Sequence, residues 1–250
     1  MAGHSKWSKV KRFKGALDAK RGKIFSRFSK EIMVAARMGG GDVTSNPRLR
    51  TAVLAARAQN MPNETIDRAI KKGTGEIDGG SVEELIYEGY APGGVAIILE
   101  AATDNKNRTA SDIRRIFTKN HGNLAASGSV SYLFRHKGQI TVAKAGVEED
   151  KLMEVALDAR AEDLITDEDL FIVTTPHDQL YQVGEALRNA GIQVESQKLT
   201  YSPATTVSLA SEELASQVLR LCDELEENDD VQNVYSNFDI SDELLARLSS

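Results

Sequence analysis

The sequence predicts a multidomain α+β protein whose N-terminal part is basic and all-helical. Three observations carry that reading. Through the first part of the chain, apolar residues recur at three- and four-residue spacing, the helical period. A glycine-rich break, Gly73-Thr-Gly-Glu-Ile-Asp-Gly-Gly80, then ends that pattern. Beyond it, short apolar strands alternate with helices, the layout of an α+β protein.

Each element has a local cause. Phe25, Phe28, Ile32 and Ala36 line one face of a first helix, which Gly39, Gly40 and Gly41 stop. Asn46 before Pro47 reads as an N-cap with proline at the first helical position. Leu49, Val53 and Arg57 follow on one face. Pro62 opens a third helix carrying Ile66 and Ile70, expected to end at Gly73. After the break, Pro92-Gly93-Gly94 turns into a buried strand over 95–102. A helix over 109–120 points Ile113, Ile116 and Phe117 inward, and Thr109 and Asp112 have capping-box spacing. Val130, Tyr132 and Phe134 alternate with their neighbours as a strand does, and a turn at 136–138 leads to a second strand over 140–142. Leu152, Val155 and Ala159 mark a helix, 171–174 a strand, and Leu180, Val183 and Leu187 another helix. Strands follow over 192–199 and 205–209. Leu214, Val218, Leu221 and Leu225 mark a last long helix, and 231–235 a last strand.

Composition narrows the function classes. A chain of 250 residues can bury a core without covalent staples. Mean hydropathy is -0.34, and the longest purely apolar runs are short, such as 95–99, against the roughly 18 residues needed to span a bilayer. No membrane partner is expected. The single cysteine, Cys222, excludes an internal disulfide and a multi-cysteine metal site. It lies beside the apolar stripe of the last long helix and reads as a buried structural thiol. The histidines are scattered, and the nucleotide-binding P-loop is missing. Gly73-Thr-Gly75 lacks the third glycine of a dinucleotide fingerprint, and no nucleophile elbow surrounds Ser127 and Ser129. Asp163, Asp167, Glu168 and Asp169 do not fit a calcium loop and read as a solvated turn. No catalytic residue, metal or cofactor is expected, and the chain is expected not to be an enzyme.

Charge is where the sequence speaks most clearly. The net charge of -6 conceals a division: residues 1–78 hold 17 Lys and Arg against 7 acids, whereas residues 141–250 hold 7 against 24. Such asymmetry suggests a basic module for a polyanion on an acidic body. The candidate nucleic-acid-binding residues are Lys6, Lys9, Lys11, Arg12, Lys14, Lys20, Arg21, Lys23, Arg27 and Lys30. Cations at this density neutralise phosphates and release counterions, giving sequence-independent affinity. Trp7 and Phe13 interrupt the run with rings that could pack or stack, and Arg48, Arg50 and Arg57 extend the positive surface. A second candidate is the loop over 103–109, where Lys106 and Arg108 stand at a helix N-terminus, a place that favours anions. Its asparagines and threonines equally describe a capping turn. No apolar stretch follows the basic N-terminus, so no secretory signal is expected there. Helix signals run on to Gly39, which reads as folded protein more than as a removable leader.

At this point the residues resemble a known family. Met1-Ala-Gly-His-Ser-Lys-Trp7, Asp18-Ala-Lys-Arg-Gly-Lys23, Asn46-Pro-Arg-Leu-Arg50 and Asn60-Met-Pro62 are similar to motifs of the YebC/PmpR family. So are Tyr87-Glu-Gly-Tyr-Ala-Pro-Gly-Gly94, the 103–109 loop, Gly122-Asn-Leu124, and Gly128 to Phe134. The resemblance implies three domains: a helical one over 1–78, a discontinuous α+β domain over 79–130 plus 206–250, and an acidic α+β domain over 131–205 inserted within it. It also implies a DNA-binding transcriptional regulator or, alternatively, a translation factor that binds ribosomal RNA at the ribosome and relieves stalled peptide-bond synthesis. No homeodomain, zinc-finger or basic-zipper pattern favours base-specific reading, and RNA-backbone binding fits the composition as well. With the first motif beginning at Met1, a bacterial cytoplasmic protein is expected, acting as a monomer.

Overall fold

The computed structural model describes residues 18–78, 80, 82–167 and 169–249. The described chain forms two compact units. One takes the residues up to Phe134 together with those from Pro203 onward; the other is Arg135–Ser202.

The first unit begins with three helices, α1 (Asp18–Gly39), α2 (Pro47–Ala58) and α3 (Asn63–Thr74). Ile32, Met33, Ala35 and Ala36 of α1 close on Leu49, Val53 and Ala56 of α2 and on Ile66 and Ala69 of α3. The expected cap at α2 is present: the Asn46 side chain accepts from the Leu49 N–H. The third helix does not end at Gly73. It continues to Thr74 and closes through Gly75 in the left-handed conformation, φ 80°. Gly73 serves another purpose, because a Cβ there would lie 2.4 Å from the Met33 carbonyl oxygen. Only glycine lets α1 and α3 cross so closely.

The unit continues with β1 (Glu83–Tyr90), β2 (Ala96–Thr103), α4 (Lys106–Lys119) and β3 (Asn123–Ala125). The expected capping box on α4 is corrected: Asn105 is the N-cap and accepts from the Arg108 N–H, while Thr109 is buried inside the helix. The chain returns after Pro203 through the short strand β8 (Val207–Ser208), α7 (Glu212–Glu226), β9 (Val231–Ser236), the short β10 (Phe238–Asp239) and α8 (Asp242–Ser249). Four strands form an antiparallel sheet in the order β3-β1-β2-β9. Ile97 and Leu99 of β2 meet Ile113 and Phe117 of α4 and Val218, Leu221 and Cys222 of α7 in one core. Val82 and Ala102 join the helical core instead, so the three helices and the sheet share apolar surface.

The strand expected at 130–134 is a 3-10 turn over Ser131–Leu133, and β4 starts at Phe134. The cause is Glu88. This carboxylate, 4% exposed, accepts from the N–H groups of Gly128, Val130 and Ser131 at 2.7, 2.7 and 2.9 Å. Backbone donors turned onto a carboxylate are not available to a ladder. Burial opposes the Glu88 charge, but these bonds outweigh it and lower its pKa.

The second unit has the order β4 (Phe134–Ala143), α5 (Glu149–Asp158), β5 (Asp163–Thr166), β6 (Leu170–Pro176), α6 (Leu180–Asn189) and β7 (Val194–Pro203). This is a β-α-β-β-α-β motif with sheet order β5-β6-β4-β7. Two expectations change. The turn at 136–138 is absent, since β4 runs unbroken, and Asp163 belongs to a strand rather than an acidic loop. Ile140, Val142, Phe171 and Val173 pack under Leu152 and Ala156 of α5 and Leu180, Val183 and Leu187 of α6.

Candidate nucleic-acid interface

The basic face of α1 is built by helical spacing. Lys23, Arg27 and Lys30 stand four and three residues apart and so share one stripe. All three are turned inward within the first unit. Lys23 donates to the Glu227 carbonyl and Arg27 to the Glu226 carbonyl. Lys30 donates to the Asp229 carbonyl at 2.8 Å and to the Asp230 carboxylate at 2.7 Å. These acceptors are the end of α7 and the turn after it.

The sequence of α7 explains why that end attracts cations. Its start is well made: Ser211 accepts from the Leu214 N–H, and Glu212 and Glu213 occupy the first turn, where negative charge is favoured. Its last turn has no basic residue. The C-terminal carbonyls therefore carry partial negative charge beside Glu226, Glu227, Asp229 and Asp230, with no cation in the helix's own last turn to offset it. Compensation comes from α1, some 200 residues earlier in the chain. Burial lowers the Arg27 pKa, and Glu226 and Asp229 offset part of that effect.

Asp230 is the centre of the contact. It is 6% exposed and accepts from Lys30, from Arg108 at 2.9 Å and from the Thr109 hydroxyl at 2.6 Å. Burial works against its charge, but the bonds to Lys30, Thr109 and Arg108 prevail and hold its pKa at about 2. A neighbouring pair of contacts repeats the pattern. Arg48 bonds Glu31 at 2.8 Å and also reaches Glu84 on β1. Burial disfavours the Arg48 charge, yet these two carboxylates raise its pKa.

The sequence-derived candidates thus separate into three groups. Lys6, Lys9, Lys11, Arg12 and Lys14 lie outside the described residues; Lys20 and Arg21 are within α1, but only their backbone is described. Lys23, Arg27 and Lys30 come together on the end of α7. In the 103–109 loop, Lys106 pairs with Glu83 at 2.6 Å and Arg108 with Asp104 and Asp230, both at 2.9 Å. Asp230 and Thr109 did not emerge from the sequence as members of one site; the acidic, lysine-free end of α7 was the available signal. Among the described residues no cluster of His, Cys, Asp and Glu could hold a metal ion, and no helix is long and apolar enough to cross a membrane.

A basic helical segment seated on an α+β body, whose sequence a second α+β unit interrupts, defines a modular class of helix-plus-sheet protein. Comparison makes this specific. The family model described as TACO1/YebC protein N-terminal domain matches residues 5–76, and that described as TACO1/YebC second and third domain matches residues 82–238. The chain belongs to the TACO1/YebC family. A probable transcriptional regulatory protein of Syntrophobacter fumaroxidans is 55% identical over 249 residues, covering 100% of both chains. One of Treponema pallidum is 54% identical, covering 98% of this chain and 100% of its own. A crystal structure of a conserved hypothetical protein from Aquifex aeolicus matches with a TM-score of 0.84 and 51% identity, over 91% of this chain and 94% of that one.

Proposed function

We propose that the chain is a nucleic-acid-binding regulator of gene expression, a DNA-binding transcriptional regulator that works by binding rather than catalysis. The observation that carries the reading is the charge division: ten cations and one acid in the first 30 residues of a protein whose net charge is -6. A uniformly acidic protein would be repelled by a polyanion. The names of its relatives as probable transcriptional regulatory proteins support the same class. Lys6, Lys9, Lys11, Arg12, Lys14, Lys20 and Arg21 supply the phosphate contacts, and Lys23, Arg27 and Lys30 can add to them only when released from α7.

The test is a salt titration on duplex DNA and on structured ribosomal RNA. If about six phosphates are neutralised, log affinity falls with log salt at a slope of roughly -5 on duplex DNA. Replacing Lys11, Arg12 and Lys14 by Ala flattens the slope by about 2.7. Preference for one DNA sequence supports the regulator. Preference for RNA or intact ribosomes, with DNA binding indifferent to sequence, would transfer the same residues to a translation factor. No salt-sensitive binding to either would refute the nucleic-acid reading.

A further inference from the structure

We propose that the C-terminal end of α7 is an internal competitor for nucleic acid, holding Lys23, Arg27 and Lys30 in an autoinhibitory latch. The inference rests on the nucleic-acid reading above and goes beyond it, because it assigns the folded body a role in controlling the basic helix.

The argument is one of shared chemistry. Phosphates recruit lysine and arginine through clustered oxygen atoms carrying negative charge. The end of α7 offers the same thing: the carbonyl oxygens of Glu226, Glu227 and Asp229, together with the Asp230 carboxylate, all accepting from one stripe of α1. A cation held there cannot also lie against a phosphate. Closed, the latch leaves the basic run only as far as Arg21 for nucleic acid; open, it adds three cations. Its two sides differ in strength. Asp230 is also tied to α4 through Arg108 and Thr109, so the α7 side stays in place. The α1 side is held at its first member by an exposed lysine bond, the end nearest the upstream basic run, and release starts there. Apparent affinity is reduced by the fraction of molecules in the closed form.

The latch can be weakened without touching the buried Asp230. Glu226→Gln, Glu227→Gln and Asp229→Asn remove the charges around the carbonyls. A matched control, Glu154→Gln, Asp158→Asn and Asp178→Asn, removes three charges from the second unit. Both full-length variants are titrated with a mixed-sequence DNA duplex across a salt series, alongside the unaltered protein. The latch variant is expected to bind several-fold more tightly than the control, because losing the Glu226 and Asp229 charges weakens the electrostatic hold on Arg27. Its log–log salt slope steepens by up to roughly 2.7 as three more phosphates are engaged. Equal affinities and slopes in latch and control variants would overturn the latch while leaving the nucleic-acid reading intact. Absence of salt-sensitive binding by the unaltered protein would refute both. Independently of affinity, a Lys23→Cys, Glu227→Cys protein is treated with a short bis-maleimide, which buried Cys222 does not intercept. Saturating duplex should slow the cross-link several-fold; an unchanged rate with duplex bound would overturn the proposal.

Discussion

Replacing Asp230 by asparagine preserves the shape of the side chain and removes its charge. In the native protein the carboxylate gathers Lys30, Arg108 and Thr109 at 2.7, 2.9 and 2.6 Å. The difference between about 2 in the fold and the ordinary 3.8 corresponds to roughly 2.5 kcal/mol of stability at neutral pH. Solvent on the Arg108 side screens part of this, leaving about 1–2 kcal/mol. Because the folded value is the lower one, the contribution is present above pH 4 and is lost as pH falls towards 2. Roughly half should remain at pH 3. The assay is urea unfolding by circular dichroism at pH 7 and pH 3, with hydrogen exchange at α4 amides assigning the transition to the first unit. The variant should be less stable at pH 7 by about 1–2 kcal/mol, with the gap narrowing in acid. A variant as stable as the native protein at pH 7, or a gap independent of pH, would refute the argument that these cations stabilise the ionised form.

Two further substitutions examine the scaffold. Gly73→Ala places a methyl group 2.4 Å from the Met33 carbonyl, and backbone cannot yield as a flexible side chain does. About 1–3 kcal/mol of stability should be lost, and a thermal melt unchanged from native would contradict the close crossing. Glu88→Gln leaves a neutral group, half of it a donor, facing the three N–H groups of Gly128, Val130 and Ser131. A cost of about 1–3 kcal/mol should accompany faster hydrogen exchange at those amides, and native protection there would sink the assignment.

The helices were legible because their signals are local. Phe25 to Ala36, Asn46-Pro47 and Leu214 to Leu225 each fix a helix by spacing or capping within a few residues. Strand β1 escaped because Glu83-Glu84-Leu85-Ile86 does not alternate, and its place depends on pairing with β2 and β3. The 130–134 strand failed for a related reason: the N–H groups of Val130 and Ser131 answer to Glu88, 42 and 43 residues earlier. Thr109 and Asp112 had the spacing of a capping box, but Asn105 stands at the true start of α4. The basic run was plain in the sequence. That its last three members face inward was not, because their acceptors are mostly backbone carbonyls far along the chain. The expected insertion of one α+β domain into another came from family resemblance rather than from periodicity.

The first unit is assembled from both ends of the chain, and synthesis delivers those ends at different times. Ile97 and Leu99 emerge well before Val218, Leu221 and Cys222, their partners in the core. In between comes 135–202, contiguous in sequence and compact by itself, and such units generally fold as one. When residue 202 has been made, β2 lacks its neighbour β9 and the sheet lacks α7, so a nascent chain should carry one finished unit and one uncovered apolar sheet face. The N–H of Ala204 then bonds the Leu133 carbonyl at 2.8 Å, bringing the two halves of the first unit side by side as the last fifth of the chain arrives. A chain ending at 202 should accordingly protect the amides of β4 and β6 while binding a hydrophobic dye. A truncated chain with protected β1–β2 amides and no dye binding would show that the N-terminal half closes its core alone.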